Sequence, residues 1–423
     1  MQYYGTRNKT QLYSMQQAAT LGLAPCGGLF MPEHIPTVDM EVVMQKANIS
    51  FAEMALYLSS LFFGDSLSEN TLRKVSYGAF DFQIKLSNTG ALELFHGPTM
   101  AFKDFGARFM GRILNQIKTR DMVILTATSG DTGSAVASGF YGMDGIKVVV
   151  LYPKGRVSDF QERQMTTLGS NIKALRVDGS FDDCQAMVKE IFADSQYCSM
   201  NGITSANSIS ILRWIPQSFY YFYGYYLWKN QGGQVSPVIA VPSGNFGNIT
   251  AGLMAHKMGL PVKQFIAATN ANDTIPQLME KGYYTPQASV TTLSNAMDVG
   301  APSNYERLMD LYNGDIEAIR KILTAVSYTD EQTIESIREL QATQNYISDP
   351  HSAIGQRALK EYGQDGFYIA TAHPCKFASV IKQALSLEAP HPATMERYFQ
   401  HHKEYTNIIP TSGALKEFLR DNL

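Results

Sequence analysis

Cysteine is scarce in this chain. Its 423 residues hold four, Cys26, Cys184, Cys198 and Cys375, with no C-x-x-C pair. That excludes a disulfide framework in a chain of this size and gives no thiolate metal-ligand spacing. The scarcity fits a reducing, cytoplasmic setting. Charge is sparse too: 17% of residues are charged and the net charge is −3. Neutralising a phosphate backbone takes a large basic excess, so nucleic acid is not an expected partner, although a local site for one small anion stays allowed. Long apolar runs are missing. The stretch Ile215 to Trp228 comes nearest, but Pro216, Gln217, Ser218 and Gly224 interrupt it. It falls short of the roughly 20 apolar residues that cross a bilayer, so no membrane contact is expected. Its five tyrosines suit a core helix whose hydroxyls reach polar partners. Near Met1, polar residues follow Arg7 and Lys9 where a signal peptide would place an apolar segment. No sequence period of roughly 20 to 50 residues recurs, which excludes a repeat architecture.

What is present is enough apolar sequence for a sizeable core, 45% of residues, and length for about two or three domains. The first stretch, 1–95, opens with polar, helix-like sequence. It ends in alternating apolar residues around Ser87-Asn88-Thr89-Gly90, which predicts a hairpin of Phe80 to Leu86 with Ala91 to Phe95. Beyond it, short β-branched runs alternate with helical patterns. The runs are Met122 to Ala127, Ile146 to Leu151, Val238 to Pro242, Phe265 to Thr269 and Phe367 to Thr371. Continuous apolar runs of this length are strands buried on both faces, and βαβ units in parallel sheets follow. The fold class is therefore α/β. Asn230 to Ser236 reads as a loop and a crossing between two lobes. The expected catalytic region is 96–385, with a smaller lobe at 96–230 and a larger one at 231–385. The tail, 386–423, is expected to wrap the surface, with His401-His402 on a solvated helix face. Adjacent histidines do not share a helix face as paired zinc ligands do.

Three segments carry chemistry. In Phe95-His96-Gly97-Pro98-Thr99-Met100-Ala101-Phe102-Lys103-Asp104, a Gly-Pro turn leads to one lysine between Phe102 and Asp104. Aromatic surface would desolvate Lys103 and lower its pKa, giving the neutral amine that a Schiff base requires. Asp104 would orient the segment or cap the next helix. Alone, a lysine beside an aspartate reads as a surface ion pair; its context decides. Ser243-Gly244-Asn245-Phe246-Gly247-Asn248 lies between a strand and a helix, where unpaired backbone N–H groups gather and bind phosphate. Its spacing is neither a Walker A loop nor a dinucleotide fingerprint. Thr128-Ser129-Gly130-Asp131-Thr132 is a second such turn, assigned to a substrate carboxylate through Ser129, Asp131 and Thr132. An unliganded βα turn and an ordinary N-cap are the plain readings of these two loops.

Together with Thr371-Ala372-His373-Pro374, Gly22-Leu23-Ala24-Pro25, Gly27-Gly28-Leu29, Asn207-Ser208-Ile209, Thr269-Asn270 and Asn272-Asp273, these segments resemble the threonine synthase family in order and over most of the chain, from about Tyr4 to Phe377. The resemblance implies a two-lobed fold type II enzyme of the tryptophan-synthase-β-like class, with parallel-rich sheets flanked by helices and an N-terminal subdomain typical of threonine synthases. Its cofactor would be pyridoxal 5′-phosphate. By the same resemblance, Lys103 bonds the cofactor, Gly244, Asn245, Phe246, Gly247 and Asn248 hold its phosphate, and Thr371 faces the pyridine nitrogen. Asn207, Ser208 and Arg213 would grip the substrate phosphate, a task for which arginine's fork is suited; read without the family, Arg213 is a structural ion-pair residue. Asp131 stands where many fold type II enzymes have Asn. An ionised carboxylate there would repel the cofactor phenolate, so either a proton is shared or Asp131 faces elsewhere. The implied reaction takes O-phospho-L-homoserine to L-threonine by γ-elimination of phosphate and β-addition of water. The alternative is a related dehydratase or phospho-lyase releasing 2-oxobutyrate. A monomer or homodimer is expected, without metal and without an N-terminal regulatory segment.

Overall fold

The computed structural model describes residues 1–363 and 365–422. The chain begins with a small antiparallel sheet of β1 (Tyr3–Gly5), β2 (Asn8–Tyr13) and β3 (Phe30–Pro32), in the order β2-β1-β3. This corrects the helix expected at the start. Gly5-Thr6-Arg7 supplies the turn, Tyr3 pairs with Tyr13, and the Tyr3 side chain is fully buried with its hydroxyl on the Phe62 carbonyl. Tertiary burial of that ring outweighs the local polar pattern.

The predicted hairpin survives only at its tip. β4 (Lys85–Leu86) and β5 (Ala91–Glu93) pair antiparallel, with Ser87 N–H on Ala91 C=O. Phe80 instead ends the Glu69–Ala79 helix and packs its ring on Phe51, Phe105 and Phe109. An aromatic cluster of that size fixes Phe80 where the core needs it.

The remaining strands are β6 (Met122–Ala127), β7 (Ile146–Pro153), β8 (Ile172–Val177), β9 (Ile203–Ser205), β10 (Val238–Pro242), β11 (Gln264–Thr269), β12 (Leu323–Ser327), β13 (Gly366–Ala370) and β14 (Thr406–Ile408). They form two sheets. The smaller lobe carries β14-β8-β7-β6-β9, parallel throughout. The larger carries β12-β11-β10-β13-β5-β4, parallel except for the β4 edge. Every residue of β6, β10 and β13 is buried, as runs covered by helices on both faces must be.

The aromatic run became a short 3₁₀ turn, Ile215–Ser218, followed by the Phe219–Asn230 helix. Tyr221 is buried and its hydroxyl reaches the Asn248 carbonyl at 2.9 Å. No helix of the described residues is long and apolar enough to cross a membrane. The tail corrects its expectation: β14 extends the smaller sheet, and the Ser412–Asn422 helix buries Leu415 and Leu419 against Cys184, Met187 and Val188. His401 and His402 are exposed but lie in a bend before β14 rather than on a helix.

Candidate active site

In parallel sheets, ligand sites form beyond the carboxyl ends of the strands. Each predicted segment lies there: Lys103 after β5, Ser129 to Thr132 after β6, Asn207 to Arg213 after β9, Gly244 to Asn248 after β10, and Thr371 after β13. Contacts join the two sets of strand ends: Asp131 after β6 meets Lys376 after β13, and Ser208 after β9 meets Asn245 after β10.

Lys103 opens the Lys103–Ile117 helix, behind a turn in which Met100 takes a left-handed conformation (φ 59°). The turn is pinned to the strand end beside it. Phe102 N–H donates to Thr371 C=O at 2.8 Å, and Ala101 bridges Ala372. Asp104 orients the turn from inside rather than capping the helix. Its carboxylate accepts from Thr99 N–H at 2.8 Å and from Thr99 Oγ1 at 2.7 Å. Burial pushes the Asp104 carboxyl up to about 6. The helix lies so close to the next segment that a Cβ on Gly106 would come within 2.7 Å of the Arg213 carbonyl.

Lys103 keeps some surface open, yet its amine sits among desolvating groups, with the Phe102 ring centroid 6.0 Å away. Burial brings the amine down to about 8; Asp131 pulls it up, and Arg213 and Lys376 push it down. An amine of that kind is a nucleophile near neutral pH.

Asp131 begins the Asp131–Phe140 helix, one residue after Gly130. Its carboxylate is engaged by neighbouring side chains. Its Oδ1 accepts from Lys376 Nζ at 2.9 Å and from Gln161 Nε2 at 2.9 Å. Burial opposes ionisation, but the Lys376 and Lys103 charges and these hydrogen bonds outweigh it and hold the carboxyl below the usual range. Ser129 and Thr132 flank it, both partly exposed. Thr128 Oγ1 braces the loop by accepting from Gly130 and Gly133 N–H.

The loop after β10 turns through Phe246 (φ 61°) into the Gly247–Lys257 helix, whose first turn has no side-chain cap. A Cβ on Gly244 would meet the Met297 Cα at 2.5 Å, so glycine is needed there. The Asn248 side chain is spent within the loop, on Pro242 C=O at 2.8 Å and Ile249 N–H at 2.8 Å. Asn245 Nδ2 donates to Ser208 Oγ at 2.6 Å, while Asn245 Oδ1 accepts from Ser303 N–H at 2.6 Å. What this loop leaves for a ligand is backbone amide. Asn207 Oδ1 accepts from Thr126 Oγ1 at 2.5 Å.

Arg213 is 2% exposed and touches one carbonyl, Ala206, at 2.7 Å. Its Nε is buried without a partner, and among the described residues no carboxylate pairs with it. Burial alone lowers the guanidinium to about 10, so it stays charged. A buried cation with no counter-charge leaves a place for an anion. Thr371 is held through its backbone: its N–H donates to Ser352 Oγ at 2.9 Å, and Ser352 in turn donates to Asp349. The Thr371 hydroxyl finds no partner among the described residues. Amides at an uncapped helix start and a desolvated lysine fit a phosphorylated aldehyde cofactor, and the uncompensated guanidinium leaves a place for a second anion.

Sequence reasoning did not find four of these residues. Lys376 and Gln161 hold Asp131, Ser352 positions Thr371, and Arg307 donates to the Ser208 and Ile209 carbonyls at 3.2 and 2.8 Å. Lys376 could have been found, because Cys375 and Phe377 flank it as Phe102 flanks Lys103.

Residues 91–368 match the family model of pyridoxal-phosphate dependent enzymes, residues 2–80 that of the threonine synthase N terminus, and residues 352–419 that of the threonine synthase C-terminal region. A threonine synthase of Serratia marcescens is 42% identical over 428 residues, covering 99% of each chain. The crystal structure of threonine synthase from Escherichia coli superposes with a TM-score of 0.92 at 38% identity, covering all of both chains. The pyridoxal-phosphate-bound threonine synthase of Brucella melitensis gives 0.93 at 33%, covering 100% of this chain and 99% of that one. With a site built on lysine, orphaned amides and an unpaired arginine, and with likeness running from end to end, the chain belongs to the threonine synthase family of pyridoxal-phosphate-dependent enzymes.

Proposed function

We propose that the chain converts O-phospho-L-homoserine and water to L-threonine and phosphate, with Lys103 as its catalytic residue. The observation that carries this is the pairing of a desolvated Lys103 amine with an Arg213 guanidinium that has no protein counter-charge.

When bound, pyridoxal 5′-phosphate supplies an aldehyde that bonds an amine and a ring that accepts the electron pair left by proton removal. Lys103 Nζ is the amine that would bond that aldehyde and, once freed, would take the proton from the substrate α-carbon. The amides of Gly244, Asn245, Phe246, Gly247 and Asn248 seat the cofactor phosphate at a helix N-terminus. The Thr371 hydroxyl would serve the ring nitrogen as a neutral partner. Ser129, Thr132 and the amides around Asp131 take the substrate carboxylate. Asn207, Ser208 and Arg213 take the substrate phosphate, and their contact accelerates γ-elimination to the extent that it strengthens as charge builds on the leaving group. Closure of the 96–230 lobe on the 231–385 lobe excludes water until its addition is due. The 1–95 segment and the 386–423 extension brace the two. The reading also places the protein in the cytoplasm as a monomer or homodimer, without nucleic acid.

The test is incubation with O-phospho-L-homoserine while threonine, 2-oxobutyrate and free phosphate are measured together. Threonine and phosphate in equal amounts are expected. Phosphate accompanied by 2-oxobutyrate alone would select the phospho-lyase reading.

A further inference from the structure

Lys376 is a charged side chain with no contact to solvent, seated in the short Pro374–Phe377 turn that follows β13 of the larger lobe. Its three donors are all used. They reach Asp131 Oδ1 at 2.9 Å, Thr99 C=O at 2.8 Å and Gln164 Oε1 at 3.0 Å. Asp131 and Gln164 begin and line helices of the smaller lobe, Asp131–Phe140 and Asp159–Thr166. Thr99 belongs to the turn that carries Lys103. A buried ammonium survives only with such complete pairing, and removing one partner of a buried pair leaves the other uncompensated.

The charged groups that act on Lys103 are Asp131, Arg213 and Lys376. Asp104, on the next residue, is turned inward to Thr99 and also feels Lys376. Of these, Asp131 is the one anion acting on the Lys103 amine. Without Lys376, Asp131 would be a buried carboxylate left with Gln161 as its hydrogen-bond partner while the Lys103 charge still acts on it. We propose that Lys376 is a positioning residue: by occupying Asp131 it keeps that carboxylate from holding the Lys103 proton, and by gripping Thr99 it ties the Lys103 turn to the Pro374–Phe377 turn of the larger lobe.

This inference rests on the reading of Lys103 as the cofactor-bonding lysine. Bond formation needs the neutral amine, so apparent affinity for pyridoxal 5′-phosphate falls as pH drops below the Lys103 pKa. The experiment measures that affinity for the apo-protein from about pH 6 to about pH 9.5, where the lysine titrates. Asp131→Asn should move the break downward by about one pH unit, and Lys376→Met should move it upward by at least about as much. The double variant, neutral at both positions, should return to within about a third of a unit of the parent. Should Lys376→Met not fold, Asp131→Asn and the double variant carry the test between them. Pyridoxamine 5′-phosphate, which cannot bond a lysine, should show no such break in any variant. Unmoved breaks in the single variants, a double variant that fails to return, or equal shifts with the amine cofactor would overturn the proposal. Lys103→Ala separates the two readings: if it still shows the pH break and borohydride trapping, the Lys103 assignment fails first.

Discussion

At the scale of single residues, two buried cations behave in opposite ways. Lys376 is fully paired and Arg213 is not. Arg213→Met should therefore raise the KM for O-phospho-L-homoserine by about 100-fold or more, since a charge-assisted phosphate contact is lost. Affinity for pyridoxal 5′-phosphate should stay within about twofold. The apo-protein should melt no lower than the parent, because folding no longer buries an uncompensated guanidinium. Equal losses in cofactor and substrate binding would instead mark Arg213 as structural. Lys103→Ala should abolish both threonine formation and the visible absorbance of bound cofactor, read by spectrum and product assay. For Asp131, the folded pKa lies below the unfolded one near 3.8. Its stabilising contribution is thus present above about pH 4 and lost as pH falls through the depressed value. Acid titration of the melting temperature should show Asp131→Asn flatter than the parent below about pH 4.

At the scale of elements, the turns after the strands decide the chemistry, and their rigidity can be tested. Gly244→Ala would force a Cβ to 2.5 Å from the Met297 Cα. The loop must shift, and cofactor affinity should fall by about tenfold or more while the melting temperature changes little; unchanged affinity would show that the amides of this loop do not hold the phosphate. Asp349 caps the Pro350–Tyr362 helix and accepts from His351 and Ser352, the residue that receives the Thr371 N–H. Asp349→Ala should cost about 2 kcal/mol or more in denaturant unfolding, as for a buried cap. Legibility follows the same division. β6 and β10 were readable to the residue because both are apolar runs that end at a turn signal, Thr128-Ser129-Gly130 in one case and Ser243-Gly244 in the other. β8 was not, since Lys173 and Arg176 interrupt it and Arg176 leans over the Tyr405 ring. β12 is half-exposed at an edge, and β14, Thr-Asn-Ile, pairs through backbone with little apolar pattern to announce it. In the site, the two glycine turns were legible because each follows its own strand, whereas Lys103 gained its weight, and Thr371 its role, from the family resemblance. The Asp131–Lys376 pair was not legible, because its halves lie in different lobes and only the fold joins them.

At the scale of the whole molecule, the smaller lobe depends on its last residues. Ile408, Leu415 and Leu419 are buried against Leu175, Val177, Cys184 and Met187. At about 1.5–3 kcal/mol for each buried side chain, they contribute an amount comparable with the entire margin of a typical domain. Deleting residues 405–423 should give a chain that aggregates or lacks a cooperative melt, read by gel filtration and circular dichroism. A truncated monomer melting within a few degrees of the parent would refute this. Removing β14 would also bare β8 as an open sheet edge. The placement of β14 has a consequence for synthesis on the ribosome. Domains commonly fold as they emerge, earliest residues first. Here every residue assigned to the cofactor has been made by Thr371, yet the sheet that carries Asp131 lacks its outer strand until Ile408 has left the exit tunnel. A nascent chain that has just reached Thr371 therefore holds a finished set of ligands on an unfinished support, with β8 still an open edge.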